Sequence, residues 1–258
     1  MPIINMNGRN LHYDEKGDKG ADFTLLFIHG AGGSLDVWAE ETITLNGCRS
    51  IALDLPGHGQ SDPLGRRTVA HYAAIVEGFI DSMALERPIL VGHSMGSAIA
   101  LTIAHRKLVS LRGLILMGGS ARMPVGAPIL SGALADLEGV ATFVAEHGAV
   151  HITDEWREVI RRQVMATGGM TTYGDYLACN RFDLRPHLSD ISVPTLFIAG
   201  QQDSLVPLRF SESTAAAMPH ARVAILEDTG HFVMLERPQA FRGITMGFLH
   251  DPLGSVDI

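Results

Sequence analysis

The chain has 258 residues, which fits one large domain or one domain carrying an insertion. Twenty basic residues stand against 28 acidic ones, for a formal net charge of −8. That balance argues against nucleic acid or an anionic membrane as the main partner, since both require basic patches. No apolar run approaches the roughly 18 residues needed to cross a bilayer, and the opening MPIINMNGRN lacks the basic-then-apolar pattern of a secretory leader. Cys48 and Cys179 lie far apart, form no disulfide framework, and read as structural thiols suited to a reducing cytoplasm.

In chain order, the first expected element is a hairpin. Ile3–Asn5 and Leu11–Tyr13 are joined by the Asn7-Gly8 turn signal and read as antiparallel strands at a sheet edge. Then short apolar runs recur, each ending at a polar or glycine residue: Phe23–Ile28, Ile51–Leu53, Ile89–Val91, Leu114–Met117, Thr195–Ala199 and Arg222–Leu226. Near-continuous apolar strands of this kind belong to a parallel sheet covered on both faces. Helical patterns lie between them. Val69, Tyr72, Ala73, Val76, Phe79, Ile80 and Met83 share one face, a second helix opens at Ala98, and a last one begins at Pro238 with Phe241, Ile244 and Phe248 on one side. This alternation implies right-handed crossovers and an α/β doubly wound, mostly parallel sheet.

The rhythm breaks over 121–187. That span reads as helical throughout (Ile129–His147, Asp154–Ala166, Thr171–Asn180) and is rich in Met and aromatic residues. The expected organisation is a core of 1–120 and 188–258 with a helical cap at 121–187. Met and aromatic side chains there would line an apolar pocket.

One corner of the chain carries chemistry. Gly92-His93-Ser94-Met95-Gly96 follows an expected buried strand and opens an expected helix. In an α/β sheet, reactive groups belong at the carboxyl ends of strands, and a helix N-terminus favours developing negative charge. The turn is sharp enough that its flanking positions must be glycine, which leaves the Ser94 hydroxyl raised above the sheet. A serine hydroxyl needs a base. Among 12 histidines, His231 follows the last strand; His58 after Pro56-Gly57 is the nearest competitor. His93 reads as packing within the turn, and His12 and His147 read as surface residues. The base needs an orienting acid. Asp203 follows the strand Thr195–Ala199, whereas Asp228 reads as shaping its own turn, and Gly118-Gly119-Ser120 offers no acid. The order Ser94, Asp203, His231 is that of one particular triad architecture. Backbone N–H groups of Ala31, in the glycine-rich stretch His29–Ser34, and of Met95 are the candidate oxyanion donors. That stretch lacks the spacing of a phosphate loop. No cofactor is expected, and no metal spacing such as H-E-x-x-H occurs.

These motifs together resemble the α/β-hydrolase superfamily in its small, single-chain form with a helical lid. The matching residues are His29-Gly30, Asp54-Leu55-Pro56-Gly57-His58-Gly59 with Ser61, Gly92–Gly96, Asp203 and Gly230-His231. The resemblance implies a covalent acyl-enzyme formed on Ser94. It excludes relatives with aspartate at the elbow (haloalkane dehalogenases, epoxide hydrolases) or cysteine there (dienelactone hydrolases). Ser97 departs from it, standing where many relatives have a second glycine.

The expected activity is a carboxylesterase acting on a small to medium, largely apolar ester. Alternatives are a lactonase, a carbon–carbon bond hydrolase acting on a ring-cleavage product, and a small-ligand sensor with weak hydrolysis. The carbon–carbon reading calls for an arginine to hold a substrate carboxylate, and Arg122, Arg181 and Arg185 flank the lid. The expected partner is a small-molecule ester or lactone, and the sequence leaves monomer and dimer open.

Overall fold

The computed structural model describes residues 2–6 and 8–254. Its strands are β1 (Ile3–Met6), β2 (Arg9–Lys16), β3 (Phe23–Ile28), β4 (Cys48–Leu53), β5 (Ile89–His93), β6 (Gly113–Met117), β7 (Thr195–Gly200) and β8 (Ala221–Leu226). They form one sheet in the order β1-β2-β4-β3-β5-β6-β7-β8. β1 and β2 are antiparallel to their neighbours, and every pair from β4 to β8 is parallel. The edge hairpin is therefore present. Of its turn signal, Asn7 lies outside the described residues, and Gly8 sits at φ +84°.

The helices are α1 (Glu40–Ile43), α2 (Val69–Ser82), α3 (Met95–Arg106), α4 (Ala127–Ala135), α5 (Leu137–His147), α6 (Asp154–Thr167), α7 (Gly169–Arg181), α8 (Leu208–Ala216), α9 (Val233–Glu236) and α10 (Pro238–His250). The strand runs lack polar alternation because both faces are covered. Leu26, Ile28, Leu90, Leu114, Leu116 and Phe197 point into one core shared with α2 and α3. The intervening Leu25, Phe27, Val91, Ile115 and Ile198 point into another shared with α10. At roughly 25 cal/mol per Å² of apolar surface removed from water, these two layers hold the sheet in register. None of the helices among the described residues is long and apolar enough to span a membrane.

Between β6 and β7 the chain makes its long helical excursion through α4 to α7 and a 3-10 turn, Arg185–Asp190. An antiparallel bridge between Arg122 and Asp183 brings its two ends together. The single helix expected over Ile129–His147 is two helices. At Asp136 the backbone turns to φ −153°, ψ 71°, and its carboxylate accepts the Gly139 N–H at 3.0 Å, capping α5. A short polar side chain that can bond the backbone ahead of it favours a cap over a helix interior.

Candidate active site

Strand β5 ends at His93, and the next residue, Ser94, has φ 52° and ψ −117°. A non-glycine residue in that region costs on the order of 1–3 kcal/mol and persists only where its surroundings enforce it. The enforcement is visible. The Ser94 N–H donates to Met117 O at 2.8 Å. A Cβ on Gly92 would fall 2.6 Å from the Gly96 backbone, and one on Gly96 would fall 2.1 Å from Ile28 O. Ser97 fits below the corner, its hydroxyl donating to Gly92 O at 2.8 Å and Met117 O at 3.1 Å. From Pro88 to Ala104 every residue is buried except Ser94. Met95 is the first residue of α3, so its N–H has no earlier helical carbonyl to bond.

Ser94 opens on a cavity of about 310 Å³. His231 lines the same cavity, as do His93, Ala31, Arg122 and apolar side chains from the helical excursion, the loop after β7 and the start of α8, among them Phe143, Val144, Ile160, Val206 and Phe210. His231 donates from Nδ1 to Asp203 Oδ2 at 2.7 Å. Asp203 is held in turn: its Oδ1 accepts the Leu205 and Val206 N–H groups at 2.9 and 2.8 Å. This bond occupies Nδ1; among the described residues Nε2 of His231, whose ring lines the cavity, has no hydrogen-bond partner. Among the described residues no hydrogen bond joins Ser94 to His231; such contacts commonly tighten only with substrate bound.

The competing histidine is elsewhere. His58 is buried and donates from Nε2 to Asp175 Oδ2 at 2.7 Å and from Nδ1 to Pro56 O at 3.1 Å. Burial works against its charge, but the Asp175 carboxylate overcomes that and raises its pKa. His29 packs against it, with ring centroids 4.7 Å apart and the ring planes tilted by 59°. His29 donates from Nδ1 to Gly30 O at 2.8 Å, and its Nε2 accepts the Leu55 N–H at 3.0 Å, which fixes a neutral ring. Burial, then the nearby His58, lowers its pKa to about 4. His93 packs against His231 and Phe232, and burial holds it well below the ordinary imidazole value, so it is neutral.

His147 is exposed, as expected, but His12 is not: it is buried and bonds Asp54 Oδ2 at 2.7 Å. Strand β2 is longer than the expected Leu11–Tyr13, and its pairing with β4 carries His12 under the Asp54 turn. Asp228 sits in a left-handed turn (φ 48°) and accepts from Gln202, consistent with a local role. Of the cap residues expected in the pocket, Met123, Phe143 and Tyr176 line it, whereas Met165 and Met170 are exposed. Arg122 reaches the cavity wall with Nη1 bonded to Asn180 O at 2.7 Å, Arg181 is exposed, and Arg185 pairs with Asp183. One group among the described residues could gather a metal ion, His105, His187 and Asp190, and none of the three lines the Ser94 cavity.

A model of the alpha/beta hydrolase family matches residues 25–244. The chain belongs to that family and is a hydrolase. It is 30% identical over 267 residues to a 2-hydroxy-6-oxononadienedioate/2-hydroxy-6-oxononatrienedioate hydrolase of Paraburkholderia xenovorans, covering 93% of this chain and 90% of that one. Among solved structures, it resembles the enol-lactonase from Burkholderia xenovorans LB400 at TM-score 0.88 and 25% identity, covering 97% of this chain and 100% of that one. It also resembles a thermophilic esterase at TM-score 0.86 and 27% identity, covering 97% of both chains.

Sequence reasoning missed two buried acids near these loops. Asp175 accepts from three separate elements, and Glu236 accepts the Gly230, Val150 and His151 N–H groups. Asp175 did leave a signal: it is the only charged residue between Arg162 and Arg181. A lone acid in an uncharged helix is either buried with partners or unfavourable.

Proposed function

We propose that the protein is a serine hydrolase that cleaves a carboxylic ester of a small to medium, largely apolar substrate through an acyl-enzyme. One observation carries the reading: the single non-buried residue of the β5–α3 corner, Ser94, shares an apolar cavity with an imidazole already oriented by a buried carboxylate. In this mechanism His231 Nε2 takes the Ser94 proton as Oγ attacks the ester carbonyl. The N–H groups of Ala31 and Met95 receive the oxyanion. The tetrahedral intermediate collapses, and His231 returns the proton to the departing alcohol. Water then adds to the acyl-enzyme, giving its proton to His231, and Ser94 leaves reprotonated with release of the acid. Residues 121–187 act as the cap, closing a cavity at the small end of the usual ~300–1,000 Å³ range. Two unpaired buried cysteines support a cytoplasmic setting.

A second reading, lactone or carbon–carbon bond hydrolysis, is favoured by the names of the relatives and by Arg122 at the cavity wall. It is the weaker one because Arg122 is the only charged side chain, histidine apart, among those lining the cavity, and its Nη1 is committed to a backbone carbonyl. The test is turnover of p-nitrophenyl esters from acetate to palmitate, beside lactones and ring-cleavage dicarboxylates, with Ser94→Ala as control. Turnover peaking at short or medium esters and lost in the variant is expected. Turnover confined to dicarboxylates would replace the ester reading with the second one.

A further inference from the structure

The helical excursion reaches into the loop that carries Ala31. Asp175, on α7, is fully buried and accepts three hydrogen bonds: from Gly32 N at 2.9 Å, from His58 Nε2 at 2.7 Å and from Tyr72 Oη at 2.6 Å. The donors come from three places, namely the loop after β3, the loop after β4, and α2. The other side of the same glycine is held too, because Thr167 at the end of α6 donates its hydroxyl to Gly32 O at 3.2 Å. Both backbone groups of Gly32, the neighbour of Ala31, are thus fixed by the excursion and, among the described residues, by nothing in the sheet.

We propose that Asp175 is a positioning residue that sets the oxyanion-binding loop from the cap, through Gly32, with His58 as its charge partner. The proposal rests on the serine-hydrolase reading above. A buried carboxylate so near a developing oxyanion would oppose it if left uncompensated. His58 removes that conflict: both its ring nitrogens donate, so the ring is an imidazolium, and the pair is neutral overall. The Gly32 N–H donates to a charged oxygen, which makes that bond stronger than one to a neutral acceptor. A donor displaced by about an ångström can cost up to ~100-fold in rate, so a loop anchored this way controls turnover without touching substrate. The cap is then part of the catalytic apparatus as well as a cover.

The test is Asp175→Asn, which keeps the shape and can still accept from Gly32 and His58 while donating to Tyr72. Three quantities are read: the rate of Ser94 labelling by a fluorophosphonate, the affinity for a trifluoromethyl ketone that adds to Ser94 as an oxyanion, and kcat against KM on the best ester of the panel. Labelling rate, ketone affinity and kcat are each expected to fall about tenfold, with KM changed less than about twofold. A variant that loses thermal stability but labels, binds ketone and turns over as the parent does would overturn the proposal, leaving Asp175 as cap-to-core packing. Should Asp175→Asn not fold, Tyr72→Phe removes one of the three donors; a fall of about threefold in the same readouts supports the proposal, and no change overturns it. Failure of the underlying reading is seen separately, as unlabelled Ser94 or undiminished turnover in Ser94→Ala.

Discussion

Asp203–His231 and Asp175–His58 are both buried pairs with the imidazole 2.7 Å from the carboxylate, and both histidines follow a strand at the same end of the sheet. They differ in the second ring nitrogen. In His58 it is spent on Pro56 O, so the ring is sealed and charged. In His231 it has no such partner among the described residues, and the ring edges the Ser94 cavity. His12–Asp54 has the same 2.7 Å contact and also stays away from that cavity. A short His–carboxylate contact therefore does not by itself mark a catalytic base; in the proposed mechanism the unspent nitrogen beside Ser94 does.

The largest expected effect that sharpens this contrast is at Asp203. Asp203→Asn should lower kcat by on the order of 10³–10⁴-fold while the fold survives, because the wrong tautomer of His231 is then favoured. By contrast Asp175→Asn should cost about tenfold, as argued above. Next is Gly118→Ala. Gly118 has φ +52°, and a Cβ there would lie 2.5 Å from His231 Cε1. Turnover should fall by about tenfold or more as the ring is pushed off line, whereas a kinetically unaltered variant would show that His231 has slack.

The two adjacent histidines near Asp175 give a pH signature in stability. His58 has a raised pKa when folded, so its contribution is complete below 6.5, its ordinary value, and is lost as pH climbs through the raised one. His29 has a pKa lowered to about 4, so folding loses stability as pH falls from 6.5 toward 4, where the unfolded chain gains a proton that the buried ring refuses. Thermal unfolding followed from pH 4 to 9 should give a Tm maximum between the two limbs. Asp175→Asn should flatten the alkaline limb most, since the raised pKa of His58 depends on that carboxylate. The smallest effect is at Ser97, where Ala removes a hydroxyl bonded to two carbonyls; about 1 kcal/mol, or a Tm lower by ~2–4 °C, is expected with turnover little changed.

Much of the fold was legible in the sequence because burial on both faces leaves an unmistakable mark. The runs Phe23–Ile28 and Thr195–Ala199 admit few polar residues for that reason. Elements whose stability comes from local capping were harder to place. Asp136 breaks a continuous helical pattern, and α8 after Pro207 is too short and mixed to stand out. Ser94, Asp203 and His231 could be chosen by their positions after strands, a rule of chain order. Asp175 could not, since its partners lie 103 to 143 residues away and only the packing of α7 over the sheet brings them together. His12 reads as a surface residue for the same reason: the flanking Leu11 and Tyr13 give no hint of the buried Asp54 beneath.

The central claim, that His231 and not His58 activates Ser94, is tested most directly by the rate of fluorophosphonate labelling at Ser94, followed by intact mass in His231→Gln and His58→Gln. The account predicts that the first variant loses labelling by on the order of 10³-fold or more, and that the second slows by no more than about tenfold. Labelling that survives in His231→Gln and vanishes in His58→Gln would contradict it.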